Sequence, residues 1–133
     1  MARKLSTRAV IAGLAAYLVV AFVPLALATR WWDWGIYHHL SIEHFPLVVR
    51  VAIYSAPLIA GLVTAFVAPD RRGRHAVVVG GLCIVALGTT EALIRSTKGY
   101  PSPSPLQVLW YTSPFPLVLV GALVARLLDR RAA

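Results

Sequence analysis

The chain alternates between long apolar runs and short polar connectors. There are four such runs, and the charged residues within them are Arg50, Glu91 and Arg126. Each run is close to the roughly 20 residues that a helix needs to cross a hydrocarbon core. The pattern therefore predicts one domain over residues 1–133, an all-α integral membrane four-helix bundle. The predicted spans are residues 9–28, 46–68, 76–94 and 106–128.

Composition supports the same class of protein. Hydrophobic residues make up 59% of the chain and charged residues only 14%, whereas a soluble domain carries about 25% charged residues. Four apolar runs in so short a chain leave few residues for a water-soluble core. No connector is long enough to form a separate soluble domain.

The net charge of +8 is distributed unevenly. Nine Lys and Arg residues lie near the chain ends or between runs two and three, and four lie in or next to the other two connectors. Basic residues beside short loops stay in the cytoplasm, so both termini are predicted to be cytoplasmic. Short loops and frequent Ala and Arg favour a bacterial inner (plasma) membrane. The charge is interpreted as a topology signal with some attraction to anionic lipid, and not as a nucleic-acid site.

An alternative interpretation treats the first run as a signal peptide that is cleaved after Ala28. The run is longer than the usual 7–15 or so apolar residues of such a peptide. Its loss would also leave three spans. We therefore expect the first span to be retained.

Runs two and four resemble each other, which predicts an internal repeat of two helical hairpins. Two hairpins of two spans each share one orientation, so the repeat would be parallel, about an axis along the membrane normal. The matching segments, at one fixed offset, are Pro46-Leu47 with Pro105-Leu106, Pro57-Leu58 with Pro116-Leu117, and Asp70-Arg71-Arg72 with Asp129-Arg130-Arg131.

Small residues mark where the helices are expected to meet. The pairs Gly61-x-x-x-Ala65 and Gly121-x-x-x-Ala125 occupy nearly corresponding places in runs two and four. Small side chains let helix backbones approach closely in lipid. Pro57, Pro114 and Pro116 each remove a backbone donor, so we expect kinks near them.

Polar residues of the spans converge on the half of the bundle predicted to face outward. A charged residue within a span is costly and by default suggests function. Ligand or ion contacts are therefore predicted at Glu91, Arg50, Arg95, Tyr54 and Tyr111. The alternative is structural: Glu91 and Arg95 are four apart and can form an interfacial ion pair, and Arg50 can extend towards the surface.

The connector Trp31–His44 concentrates aromatic, imidazole and carboxylate groups. Tryptophan is typical of the membrane interface, so an aromatic belt of anchors is predicted at Trp31, Trp32, Trp34 and Trp110. A less favoured hypothesis is a metal or haem site, because imidazole and carboxylate are good ligands. Its candidate ligands are His38, His39, His44, Asp33 and Glu43. His75 is expected in the cytoplasmic loop, and no H-E-x-x-H pattern occurs.

Catalytic chemistry is poorly represented. The single Cys83 lies deep in a run, and no nucleophile motif or phosphate-binding loop occurs. The sequence therefore predicts a non-catalytic subunit or accessory module that binds a partner through its spans and its aromatic connector, as a homo-oligomer or in a larger membrane complex. Two alternatives stay open: a small transporter or channel with its polar site in the outer half of the bundle, and a metal- or haem-binding redox protein.

Overall fold

The computed structural model describes residues 5–33, 45–68, 72–99 and 101–132. Every regular element in these segments is an α-helix, which confirms the predicted all-helical chain. The helices are α1 (Thr7–Asp33), α2 (Phe45–Val67), α3 (Arg72–Lys98), α4 (Pro105–Tyr111) and α5 (Pro114–Ala132).

Three helical segments are long and apolar enough to cross a membrane. They are Thr7–Pro24, Gly73–Thr97 and Pro105–Arg130. The part of α2 from Val51 to Val67 is also apolar but shorter. The chain is therefore an integral membrane protein by the length and composition of its helices.

Two helices extend further than their apolar runs. The first continues to Asp33, so Trp31 and Trp32 belong to the end of α1 and not to a connector. The third begins at Arg72, so His75 lies in its first turn and not in a loop. Gly99, with φ of 68°, follows the last residue of α3. Glycine adopts this left-handed conformation readily and commonly follows a helix end.

The fourth predicted span is two helices, because the chain turns at Thr112 and Ser113. Proline at 114 and 116 cannot donate to the carbonyls four residues earlier, those of Trp110 and Thr112. Each carbonyl finds a closer donor instead. Ser113 N–H donates to Trp110 at 3.1 Å, and Phe115 N–H donates to Thr112 at 3.2 Å. These tighter turns replace the missing helical hydrogen bonds, as a membrane environment requires.

Contacts between the helices establish their relative directions. The Ser6 amide, just before α1, donates to Nε2 of His75 in the first turn of α3 at 2.8 Å. Near the other end of α3, Arg95 contacts Tyr111 of α4. Gly13, early in α1, lies against Thr64, late in α2. Helices α1 and α3 therefore run in one direction, and α2 and α4–α5 run in the other.

Small residues fill the interior and large apolar residues face outward. Many of the buried positions are alanines, and the largest buried side chains include Tyr17, Val79 and Val118. By contrast, Val85 and Leu93 on α3 are each 63% exposed. A water-soluble protein of this size would bury such side chains, whereas lipid accommodates them.

Helices α2 and α5 approach each other closely at Gly61 and Gly121. A Cβ atom added to Gly61 would lie 2.0 Å from the Val118 carbonyl oxygen. One added to Gly121 would lie 2.1 Å from the carbonyl oxygen of Leu58. Each glycine therefore contacts the residue three positions before the other glycine, which makes the crossing reciprocal. The sequence predicted a close approach at these small residues, and the contact confirms it.

Replacing Gly61 by alanine is expected to destabilise the protein, because the new methyl group must push α5 away from α2. Overpacking of this kind costs about 1–3 kcal/mol. The matched control is Gly88→Ala on α3, where an added Cβ meets nothing within 4 Å. Alanine favours a helix over glycine, so this variant should be as stable as the parent or more so. Unfolding in mixed detergent micelles, followed by circular dichroism, measures both. Equal stability of the two variants would contradict the packing described.

Candidate functional site

Three of the predicted polar residues, Glu91, Arg95 and Tyr111, meet where α3 ends and α4 begins. Arg95 on α3 is the centre of this group, and its partners come from α3, the following loop and α4. We call the group the Arg95 cluster; its members are Glu91, Arg95, Pro101, Gln107 and Tyr111.

Glu91 and Arg95 form an ion pair on one face of α3. Their spacing of four residues places the side chains one helical turn apart. Arg95 Nε donates to Glu91 Oε1 at 2.9 Å, and both side chains are partly buried. The negative charge of Glu91 thus compensates the positive charge of Arg95 within the same helix. This geometry is the structural alternative that the sequence raised for the pair.

The two remaining nitrogens of the Arg95 guanidinium cross to the next element. Nη1 donates to the carbonyl oxygen of Pro101 in the loop. Nη2 donates to Gln107 Oε1 at 3.3 Å and to the Tyr111 hydroxyl at 3.2 Å. A guanidinium carries five N–H donors in a rigid fork. Its three nitrogens all have partners here, so Arg95 ties α3 to the loop and to both turns of α4.

A capping box fixes the start of α4. Ser104 Oγ accepts from the Gln107 amide at 3.3 Å, and Gln107 Oε1 accepts from the Ser104 amide at 2.9 Å. Pro105 follows at a position that needs no backbone donor. The same Gln107 oxygen accepts from Arg95, so the cap of α4 and the cluster share one acceptor.

An aromatic contact ties α4 to α2. Trp110 Nε1 donates to the Tyr54 hydroxyl at 2.6 Å, and the two rings meet edge to face with centroids 6.2 Å apart. The rings of Trp110 and Tyr111 are 5.8 Å apart, also edge to face. Trp110 therefore connects α4 to α2 and is also a residue of the predicted aromatic belt.

Helix α4 is otherwise little covered by the protein. None of its residues is buried. Leu106 is 75% exposed and Leu109 is 67% exposed. The polar and aromatic ties described above thus hold α4 in place while its leucines point away from the other helices.

Several predicted site residues fall outside this description. Residues 34–44 and the side chains of Asp33 and Arg50 lie outside the described part of the chain. The proposed metal ligands and the anchors Trp31, Trp32 and Trp34 therefore stay predictions. Among the residues that the structure does describe, no three His, Cys, Asp or Glu side chains lie close enough to hold a metal ion.

Sequence reasoning missed two members of the cluster, Pro101 and Gln107. The pattern Ser104-x-x-Gln107 is a recognisable capping box and could have located the start of α4. Nothing in the sequence indicates that the Pro101 carbonyl accepts from Arg95, because that contact depends on the path of the loop.

Searches against protein-family models, curated proteins and solved structures found no match to this chain.

Because Arg95 connects α3 to α4, the substitution Arg95→Lys is expected to loosen α4 and to leave distant parts of the chain unchanged. Lysine keeps the positive charge, but a single ammonium group cannot reach the loop, Gln107 and Tyr111 together. Backbone amide exchange over residues 105–111 should therefore accelerate several-fold, while exchange in the second half of α5 stays unchanged. Hydrogen–deuterium exchange with mass spectrometry measures both regions. The matched control is Arg126→Lys at an exposed position of α5. Unchanged exchange in α4, or an equal change in the control, would mean that Arg95 does not hold α4.

Proposed function

We propose that the chain is a non-catalytic membrane module, a subunit or accessory protein that binds a partner chain through its spans and its aromatic outer surface. In this proposal the protein is a four-helix bundle of two helical hairpins in a bacterial inner membrane. Both termini face the cytoplasm, and the Arg95 cluster faces outward. The partner is a second copy or another membrane protein.

One observation carries the proposal: among the described residues, the Arg95 guanidinium and the buried polar side chains have their hydrogen-bond partners within the chain. All three nitrogens of Arg95 bond to neighbouring residues. Among the described residues, every buried side-chain nitrogen or oxygen has a partner. A binding or catalytic centre needs groups that are directed at a ligand. Here the polar groups are directed at each other, which favours an architectural role.

The surface that α4 offers supports a partner chain. Its two exposed leucines, Leu106 and Leu109, sit on a short helix whose position Arg95 and Tyr54 hold. Helices associate in lipid through packing and not through a hydrophobic driving force. A side chain held in a fixed place loses little freedom when it packs, so a fixed helix is a better binding surface than a mobile loop.

The reciprocal crossing of α2 and α5 supports a twofold relation between these two helices, although it pairs Gly61 with Gly121, one residue away from the fixed offset that relates Pro57 to Pro116. The atoms near Gly61 in α5 match those near Gly121 in α2, with closely similar distances. Such a match is what a local twofold axis between two parallel helices produces. Under the proposed topology this axis runs along the membrane normal.

Site-specific photocrosslinking tests the proposed partner surface. A benzophenone amino acid at Leu109 should give a crosslink to a protein chain in native membranes, and mass spectrometry would identify that chain. The matched control is the same label at Leu127, an exposed leucine near the opposite end of the molecule. Crosslinks to lipid alone at both positions, with only monomer in native mass spectra, would refute the module.

A transporter or channel is the second candidate, and the break in the fourth span favours it. Discontinuous helices often form substrate and ion sites in transporters. Thr112 and Ser113, where the span breaks, directly follow Tyr111 of the Arg95 cluster. An ion that entered the break would therefore meet Glu91 and Arg95 soon afterwards.

Ion flux separates the two candidates. For a module, proteoliposomes are expected to pass H⁺, Na⁺ and K⁺ no faster than empty vesicles, and Glu91→Gln should leave that result unchanged. An added ionophore confirms that the vesicles are sealed. Flux that the parent protein supports and Glu91→Gln abolishes would establish the transporter and overturn the module.

A further inference from the structure

The charge of the chain is concentrated at one end of the helices. This end comprises the residues before α1, the α2–α3 connector, the first turns of α1 and α3, and the last turns of α5. It holds nine basic and two acidic residues, which give a net charge of +7. The remaining four basic and three acidic residues give +1. Almost the whole net charge of +8 therefore belongs to one end. We call it the basic end; its described, exposed arginines are Arg8, Arg74, Arg126 and Arg130.

A buried contact joins the two helix starts at the basic end. The Ser6 amide donates to His75 Nε2 at 2.8 Å, and His75 is only 4% exposed. Nε2 is the acceptor in this contact, because a backbone amide can only donate. The contact brings the first turns of α1 and α3 together, and Arg8 and Arg74 are exposed residues of those turns.

Helix α5 brings its arginines to the same end. Phe115, near the start of α5, lies against Gly80 of α3, and Tyr111 lies against Arg95 near the end of α3. The two helices are therefore antiparallel, and Arg126 and Arg130 extend towards the start of α3. The first turns of α1 and α3 contain no acidic residue that would cancel this charge.

Apolar side chains border the arginines. Leu5 and Ile11 flank Arg8 in sequence, Val77 follows Arg74 by three residues, and Leu127 and Leu128 lie between Arg126 and Arg130; all five are exposed. A ligand at the basic end therefore meets guanidinium groups and, beside them, exposed apolar side chains. Guanidinium pairs well with phosphate oxygens, and the adjacent apolar surface suits acyl chains.

We propose that the basic end binds anionic phospholipids, with Arg8 and Arg74 contacting the headgroup phosphate and the bordering apolar side chains contacting the acyl chains. The His75–Ser6 contact positions the two arginines for this purpose. The proposal is independent of what the spans do, because a module and a transporter would both present the basic end to the same leaflet.

Native mass spectrometry in mild detergent tests the proposal, with phosphatidylglycerol as the probe. Phosphatidylcholine with the same acyl chains is the zwitterionic comparison, and glycerol 3-phosphate is the headgroup without chains. We expect phosphatidylglycerol adducts to exceed both. The double variant Arg8→Gln/Arg74→Gln should weaken retention by about fivefold for each arginine removed. The matched control, Arg30→Gln/Lys98→Gln, removes the same charge near the other end and should retain lipid as the parent does.

Three results would overturn the proposal. They are equal adducts of the two lipids, equal losses in the two double variants, and glycerol 3-phosphate binding that matches the lipid. If the double variant does not fold by circular dichroism, the single variants Arg8→Gln and Arg74→Gln replace it. Crosslinking from Leu109 should be the same in all variants, so failure of lipid binding and failure of the partner surface are distinguishable.

Discussion

The close approach of α2 and α5 is the constraint on which the other contacts depend. Carbonyl oxygens of Leu58 and Val118 occupy the space where Gly121 and Gly61 would otherwise carry side chains. Backbones this close leave room only for small residues at the crossing. With α2 and α5 paired, α1 packs on α2 and α3 packs on α5. The ends of α3 and α4 then lie together, where Arg95 can reach Tyr111.

Lipid explains why small side chains are inside and large ones outside. In water, the burial of large apolar side chains drives folding. In a membrane that force is absent between helices, and dense packing of small residues takes its place. Buried alanines and exposed residues such as Val85 and Leu93 fit this environment. The polar side chains of the spans must then satisfy one another, because hydrocarbon offers no hydrogen bonds. The Arg95 cluster meets that requirement at one end, and the His75–Ser6 contact meets it at the other.

Much of the fold could be predicted from the sequence, because apolar length and small residues determine it directly. The four apolar runs became helices, and Gly61 and Gly121 lie at a helix crossing, as small residues in apolar runs predict. The helix ends were less predictable. Helix α1 continues to Asp33, beyond the point where hydropathy stops favouring a span. The prolines predicted irregularity in the fourth span, but not that Ser113 and Phe115 would supply the replacement hydrogen bonds.

The candidate site was predictable only in part. Glu91 and Arg95 lie one helical turn apart, so their pairing followed from the sequence. The partners Pro101, Gln107 and Tyr111 depend on how the loop returns to α3, which no local pattern records. The tie between Tyr54 and Trp110 joins residues far apart in the chain and requires the α2–α5 pairing first.

A double-mutant cycle on Gly61 and Gly121 tests the central crossing most directly. The free energy of unfolding would be measured for the parent, Gly61→Ala, Gly121→Ala and the double variant in the same mixed micelles. If both glycines serve one reciprocal contact, the first substitution already separates the helices and the second costs less. The loss in the double variant should then fall short of the summed single losses by more than about 0.5 kcal/mol, the spread found for independent sites. Losses that add within that margin would contradict a single shared crossing.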